Sequence, residues 1–431
     1  MKLYSTNDLK HIVDLKTAVL KGLPDDNGLY MPTIIPTLAP TFISNLKNYS
    51  LADIGYEVCK TLFEGYINEQ DLRGIIDRSI TFPSPIVRLE ERTHVLELFH
   101  GPSMAFKDFG ARFMAQLMGY FNKDEDELLT ILVATSGDTG GAVAAGFLNT
   151  PCIEVVILYP SAKVSDIQEM QLTTLGGNIR AIEVEGTFDD CQALVKQAFL
   201  DKELTRRKRL ASANSINIAR LIPQSFYYFE AYKQLEDRSL DTVFSIPSGN
   251  FGNLTAGVFA QRMGLPVSKF LAATNVNDII PAYLKTGEYF PRPSERTVSN
   301  AMDVGDPSNY KRLADIFGQE GSTWNNMKEL LKGYSYTDAQ TIVAIKDIYE
   351  RFGYIMDPHG ALAFLALEEY AKGKDINGVI LETAHYAKFK DTMDASLGFA
   401  TETPKRLGDL LNRKKVATKI SVDYDAFKAC L

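Results

Sequence analysis

Residues 99–113 read FHGPSMAFKDFGARF and set one lysine, Lys107, among Phe106, Phe109 and Phe113. Gly101 and Pro102 break the preceding segment, and Phe109, Phe113, Leu117 and Phe121 then recur at helical spacing, which places Lys107 at or near a helix start. An ammonium there meets the positive end of a helix dipole and loses water to aromatic rings, so its pKa falls. A neutral amine is what a Schiff-base lysine requires. The competing reading is a surface lysine in the first turn, its stem lying over a ring.

Working outward, short apolar runs at 128–134, 153–159, 180–184, 243–246, 269–273 and 378–381 read as buried strands. Helical stretches at 141–148, 189–200, 222–235 and 254–263 lie between them. Alternation of this kind predicts an α/β protein with parallel sheets flanked by helices, whose ligands sit at the carboxyl ends of the strands. Residues 1–88 look different: a short helix ended by Gly22, a turn at Asp25–Asn27–Gly28, and helices at 51–63 and 68–80 predict a helix-rich opening domain.

Three strand ends carry chemistry. The first strand runs into Thr135-Ser136-Gly137-Asp138-Thr139-Gly140-Gly141 and an alanine-rich helix, offering hydroxyls and open N–H groups to a carboxylate or phosphate, or else an ordinary capped turn. Residues 243–246 lead into Ser248-Gly249-Asn250-Phe251-Gly252-Asn253, where two glycines and two asparagines that tolerate positive φ make a second phosphate cradle. Residues 378–381 end in Glu382-Thr383-Ala384-His385, where Thr383 either faces a ligand or caps a helix, and Lys388 and Lys390 read as solvated helix residues. The 135–141 loop is neither a Walker A, lacking GKT or GKS, nor a GxSxG elbow, and a nicotinamide reading of Gly249 and Gly252 lacks the GxGxxG order.

Composition narrows the classes. The 431 residues predict two or three domains; 45 % hydrophobic and 23 % charged residues are ordinary for a globular protein. A net charge of -8 and a pI near 5.4 argue against nucleic acid or an anionic membrane as partner, and the basic run Arg206–Arg207–Lys208–Arg209 reads as a solvated helix end or loop. The four cysteines form no CxxC pair and the five histidines no HxxxH or HExxH, so neither a disulfide frame nor a zinc site is expected. His100 and His385 each lie beside a candidate motif and read as site residues or as hydrogen-bonded structural ones. With no signal-like start and no apolar run of membrane-spanning length, a cytoplasmic location is expected.

A lysine, two anion loops and a strand-end hydroxyl together resemble a pyridoxal 5'-phosphate site of the tryptophan synthase β-like kind, fold type II. Within that fold DDNGLYMP, FHGPSMAFKDFGARFMAQ, ATSGDTGGA, EVEGTFDD, ANSINIARLIPQ, PSGNFGNLTAG and ETAHYAKF, in this order, are similar to threonine synthases of the bacterial and fungal form, over about residues 3–400. The resemblance implies a lyase of threonine biosynthesis acting on O-phosphohomoserine, by γ-elimination of phosphate and β-addition of water to give L-threonine. It implies Lys107 as the Schiff-base lysine and proton shuttle, with Phe106 beside the cofactor, and Gly249, Asn250, Phe251, Gly252 and Asn253 around the cofactor phosphate. Thr383 would meet the pyridine nitrogen, while Ser136, Gly137, Asp138 and Thr139 would face the substrate carboxylate and the cofactor's 3-oxygen. Many relatives in the wider fold have Asn at the place of Asp138; a carboxylate beside the phenolate is repulsive unless one of the two is protonated. Arg220 with Asn217, and Thr187, would clamp the substrate phosphate. The large cofactor domain would comprise 89–125 and 221–431, the small mobile domain 126–220, and the molecule would be a monomer, as this form of the family usually is. The rival on the same scaffold is a phospho-lyase that releases 2-oxobutyrate from O-phosphohomoserine or O-phosphothreonine.

Overall fold

In the computed structural model, which describes residues 1–318 and 322–431, the strands Leu129–Ala134, Thr242–Pro247 and Asn377–Glu382 are buried along their whole length. Such strands have no polar alternation because helices cover both faces. The side chains still divide with period two. Ile131 and Val133 point into the main core, and Leu132 and Ala134 into a separate cluster under the helix Phe188–Leu200. Likewise Val379 and Leu381 join the main core, while Ile380 packs with Leu362 and Leu367 of the helix Pro358–Ala371.

Two sheets result. The larger has six strands in the order Leu331–Ser335, Lys269–Thr274, Thr242–Pro247, Asn377–Glu382, Thr93–Glu97, Ile86–Glu90, all neighbours parallel except the last pair. The smaller is fully parallel, in the order Thr418–Ile420, Ile179–Val184, Ile153–Pro160, Leu129–Ala134, Arg209–Ser212. The helix Lys107–Asn122 runs through the main core and is buried on most of its faces; Phe109 packs edge-on against Phe82 and Tyr227, and Phe113 against Phe226. A helix apolar nearly all round belongs in the interior of a large domain. Of the three rings expected around Lys107, therefore, Phe109 and Phe113 are core, and Phe106 is the one recorded near the amine, 5.4 Å from ring centre to Nζ.

Two corrections concern the domains. The opening segment holds the expected helices Leu51–Phe63 and Glu69–Ser79, but also a three-stranded antiparallel sheet of Asp8–Asp14, Lys2–Ser5 and Tyr30–Pro32. Its apolar residues Leu3, Tyr30, Ile54 and Ile76 belong to the same cluster as Phe109 and Phe113, so it shares its core with the rest of the chain. The second correction is at the other end. Thr418–Ile420 pairs in register with Ile182–Val184 and Phe427 packs under the small sheet, so the carboxyl-terminal tail goes with the five-stranded sheet and not, as expected, with the six-stranded one.

Candidate active site

Lys107 is brought to the ligand edge of the large sheet by a crossing of two loops. Ala105 bridges Ala384 in antiparallel fashion, the Phe106 N–H donates to the Thr383 carbonyl at 2.8 Å, and the His385 N–H donates to the Met104 carbonyl at 3.1 Å. Lys107 is the first residue of its helix, as the sequence suggests. Loss of water lowers its pKa most, and the Lys388 and Arg220 charges push the same way against an opposing pull from Asp138. The next residue, Asp108, is buried, accepts from the Ser103 N–H at 2.8 Å, and is pushed up to about 6 by burial.

Lys107 faces a cavity of about 640 Å³, a size suited to a cofactor with substrate. Gly249, Asn250, Phe251, Gly252 and Asn253 all line it. The residue in left-handed backbone is Phe251, at φ 59, not a glycine or asparagine as expected. The asparagine side chains serve the scaffold: Asn250 donates to Ser215 Oγ at 2.8 Å and accepts from the Ser308 N–H, and Asn253 donates to the Pro247 carbonyl at 2.8 Å. Gly249 is required by packing, since a Cβ there would stand 2.7 Å from Met302 Cα. Among the described residues the backbone N–H groups of Gly249 through Asn253 meet no protein acceptor, and they run into the first turn of the helix Gly252–Arg262. Five open donors at a helix N-terminus form a cradle with the chemistry of a phosphate ester, so the site fits a phosphorylated cofactor.

A second set of open amides, Ser136, Asp138 and Thr139, lies at the start of the helix Asp138–Phe147. Thr135 Oγ1 braces this loop by accepting from the Gly137 and Gly140 N–H groups at 3.0 and 2.9 Å. Ser136, Asp138 and Thr139 line the cavity; Gly137, at φ 136, turns behind it with its α-carbon against the Gln168 side chain. Burial alone would raise the Asp138 carboxyl. The Lys388 ammonium at 2.7 Å, then Lys107 at 3.7 Å, outweigh burial and hold it far below the usual carboxylate range.

Thr383 lines the cavity at 5 % exposure and caps no helix; the cap of the following turn is His385, whose ring accepts from the Ala387 N–H at 3.1 Å. Burial pushes His385 down to about 4. Arg220 also lines the cavity. It is 3 % exposed, donates from Nη1 to the Ala213 carbonyl at 2.5 Å, and leaves Nε without a partner. Burial lowers its pKa to about 10. Gly110, one turn beyond Lys107, makes room for it, because a Cβ there would stand 2.8 Å from that Nε.

Besides Gly137, two expected residues are not on the cavity wall. Asn217 is fully buried, capping the helix Ile218–Leu221 and donating to the Val19 carbonyl at 2.9 Å; Asn214 and Ser215 of the same motif take the cavity positions. Thr187 caps the helix Phe188–Leu200 in a reciprocal box with Asp190, and Phe188, Asp189 and Gln192 line the cavity instead. Lys388 is the largest correction: it is 1 % exposed and ion-paired, not solvated. His359 was not singled out in the sequence at all. Its Nδ1 lies 2.8 Å from Asp357 Oδ2, its Nε2 has no partner, and it lines the cavity; the Asp-Pro-His run at a helix start was the available signal.

Comparison with known proteins gives one answer from three directions. Residues 81–381 match the family model of pyridoxal-phosphate-dependent enzymes, 2–80 the threonine synthase N terminus, and 360–431 the threonine synthase C-terminal model. The chain is 42 % identical to the threonine synthase of Haemophilus influenzae, covering 100 % of this chain and 99 % of that one, and 42 % identical to that of Escherichia coli over 99 % and 98 %. The crystal structure of the Escherichia coli enzyme superposes with a TM-score of 0.93 at 41 % identity, over 100 % of this chain and 99 % of that one. A pyridoxal-phosphate-bound threonine synthase from Brucella melitensis gives 0.93 at 34 %, over 100 % and 98 %.

Proposed function

The chain belongs to the threonine synthase family of pyridoxal-phosphate-dependent lyases, and with that as premise we propose which of its side chains carry each part of the conversion of O-phosphohomoserine to L-threonine and phosphate. The observation that carries the assignment is the placing of one desolvated amine, Lys107, between two sets of open backbone donors.

When bound, the cofactor supplies an aldehyde for attachment to an amine and a conjugated ring that accommodates the charge left by a departing Cα or Cβ proton. The amides of Gly249 through Asn253 would hold its phosphate and the Thr383 hydroxyl its ring nitrogen, with Asp138 at the side that carries Lys107. Lys107, whose pKa burial lowers, is placed to take the Cα proton from substrate and, once that proton has been handed on to the bound cofactor, a proton from Cβ. The Ser136, Asp138 and Thr139 amides orient the substrate carboxylate, with the Gly137 turn shaping the loop from behind. Arg220 holds the substrate phosphate through its Nη2 edge, the Nε being buried against Gly110, and Ser215 and Asn214 take the supporting place expected of Asn217. Thr187 acts by fixing the helix that carries Asp189 and Gln192. The released phosphate has a second pKa close to physiological pH and is itself able to pass a proton there.

The small domain, which includes the tail strand Thr418–Ile420, closes over the large one to keep water out until it adds at Cβ. The molecule works as a monomer in the cytoplasm on a small-molecule substrate, not on nucleic acid. Four free thiols, two of them buried, suit a reducing compartment, and no described helix is long and apolar enough to cross a membrane. The test is product analysis on the purified protein: threonine and phosphate in equal amounts support the reading, whereas 2-oxobutyrate with ammonia refutes it. Light scattering checks the monomer.

A further inference from the structure

Lys107 and Asp138 line the site, and Lys388 lies buried behind Asp138. Asp138 Oδ1 lies 2.7 Å from Lys388 Nζ and accepts from Gln168 Nε2 at 3.0 Å. Asp138 Oδ2 is turned to Lys107 Nζ but stays 3.7 Å away, beyond a hydrogen bond. The Lys388 ammonium also donates to the Ser103 carbonyl at 3.0 Å, and its side chain is 0 % exposed. Lys388 comes from the short turn Tyr386–Phe389 that follows Thr383, and the Ser165 hydroxyl donates to its carbonyl at 3.2 Å. Asp138 and Gln168 ride on the small domain; Lys388, Ser103 and Lys107 belong to the large one.

We infer that Lys388 is a positioning residue for the reaction: its buried ammonium fixes Asp138 as a carboxylate at the domain boundary and so leaves Lys107 a free amine. This rests on Lys107 being the amine that carries the cofactor. A buried carboxylate takes whichever cation is nearest, since leaving it unpaired costs several kcal/mol. With Lys388 present that demand is met at Oδ1, and Lys107 faces a neutral pair. Without it Lys107 is the nearest cation, and pairing there would protonate the amine that has to be nucleophilic. The charged groups around Lys107 are Asp138, Lys388 and Arg220; around Asp138 they are Lys388, Lys107 and His359; Asp108 also faces Lys388. An ionised Asp138 beside the cofactor's 3-oxygen is thereby compensated, which resolves the repulsion that the sequence raises at this position.

The experiment uses the full-length protein in four forms: wild type, Lys388→Arg, Lys388→Met, and the double variant Asp138→Asn, Lys388→Met. Borohydride reduction of the cofactor-loaded wild type, followed by peptide mass spectrometry, first locates the cofactor. A label anywhere but Lys107 overturns both the functional assignment and this inference. With the label on Lys107, the cofactor is removed and acetylation of Lys107 by acetic anhydride is followed against pH, which reads the amine's own titration without any turnover. Lys388→Met is expected to raise the midpoint by about one unit or more. Lys388→Arg keeps the charge and stays near wild type, and the double variant, lacking both charges, returns to near the wild-type midpoint. A residue with a merely structural part would change the extent of labelling, not the midpoint, and loss of Asp138 would not rescue it. An unmoved midpoint in Lys388→Met, or a double variant displaced as far as the single one, overturns the inference and leaves the functional assignment standing. If Lys388→Met alone does not fold, the double variant carries the test, because it no longer buries an unpaired carboxylate; its failure to fold, or a displaced midpoint, overturns the inference.

Discussion

Replacing Arg220 by methionine keeps much of its volume and removes a buried guanidinium from the cavity wall. Its Nη1 bonds the Ala213 carbonyl and its Nε is buried against Gly110, so the Nη2 edge is the one left for substrate. A phosphate held by that free edge forms about two charge-assisted hydrogen bonds, each worth roughly 1.5–3 kcal/mol. Their loss, about 3–6 kcal/mol, corresponds to a fall in kcat/KM of about 100- to 10,000-fold at 1.4 kcal/mol per decade. The assay is phosphate release from O-phosphohomoserine, with the visible cofactor band and circular dichroism recorded on the same samples. Lys is a poor substitute at a site that uses a planar fork, so Arg220→Lys should recover little of the loss. The reasoning fails if Arg220→Met keeps the wild-type spectrum and a kcat/KM within about threefold of wild type, since no clamp of that strength would then exist.

Other outcomes follow from the same geometry. Lys107→Ala should abolish the visible absorbance of a covalently attached cofactor and all turnover, while mass spectrometry after borohydride finds no cofactor on the chain. Gly249→Ala places a methyl 2.7 Å from Met302 Cα, a backbone neighbour that cannot swing aside; about 1–3 kcal/mol of strain should appear as a lower melting temperature and at least tenfold weaker cofactor binding by titration. Asp108 titrates at about 6 in the folded chain against 3.8 when unfolded, so its contribution is complete below 3.8 and is lost as pH rises through 6. Asp108→Asn should therefore gain up to about 3 kcal/mol on wild type between pH 4 and 8, measured by urea unfolding at several pH values; equal slopes would refute the shift.

What the sequence made legible follows from how each element is held. Leu129–Ala134 and Asn377–Glu382 were readable because six buried residues in a row leave no other reading at that length. Thr418–Ile420 and Arg209–Ser212 were not, because each is short, half-exposed, and kept in place by its neighbour's backbone instead of its own pattern. Asp8–Asp14 is exposed on nearly every residue and has no apolar face to announce it. At the site, loop composition located the donors but not the direction of side chains: Asn217 and Asn214 are equally polar, and only the fold turns one inward to the Val19 carbonyl and the other to the cavity. Lys388 was beyond local reading altogether, since its partner Asp138 lies 250 positions away behind a strand of the other sheet and nothing in the neighbouring residues signals burial.

The tail strand has a consequence for anyone shortening the chain. Thr418–Ile420 closes one side of the small sheet by lying along Ile179–Val184, whose residues Ile182 and Val184 are almost fully covered. A version cut before residue 418 would bare that strand's amides and carbonyls together with the apolar patch now shielded by Phe427, and two such molecules would find each other edge to edge. Loss of solubility on trimming, with catalysis intact in the fraction that remains dispersed, is the signature of a strand that guards against self-pairing.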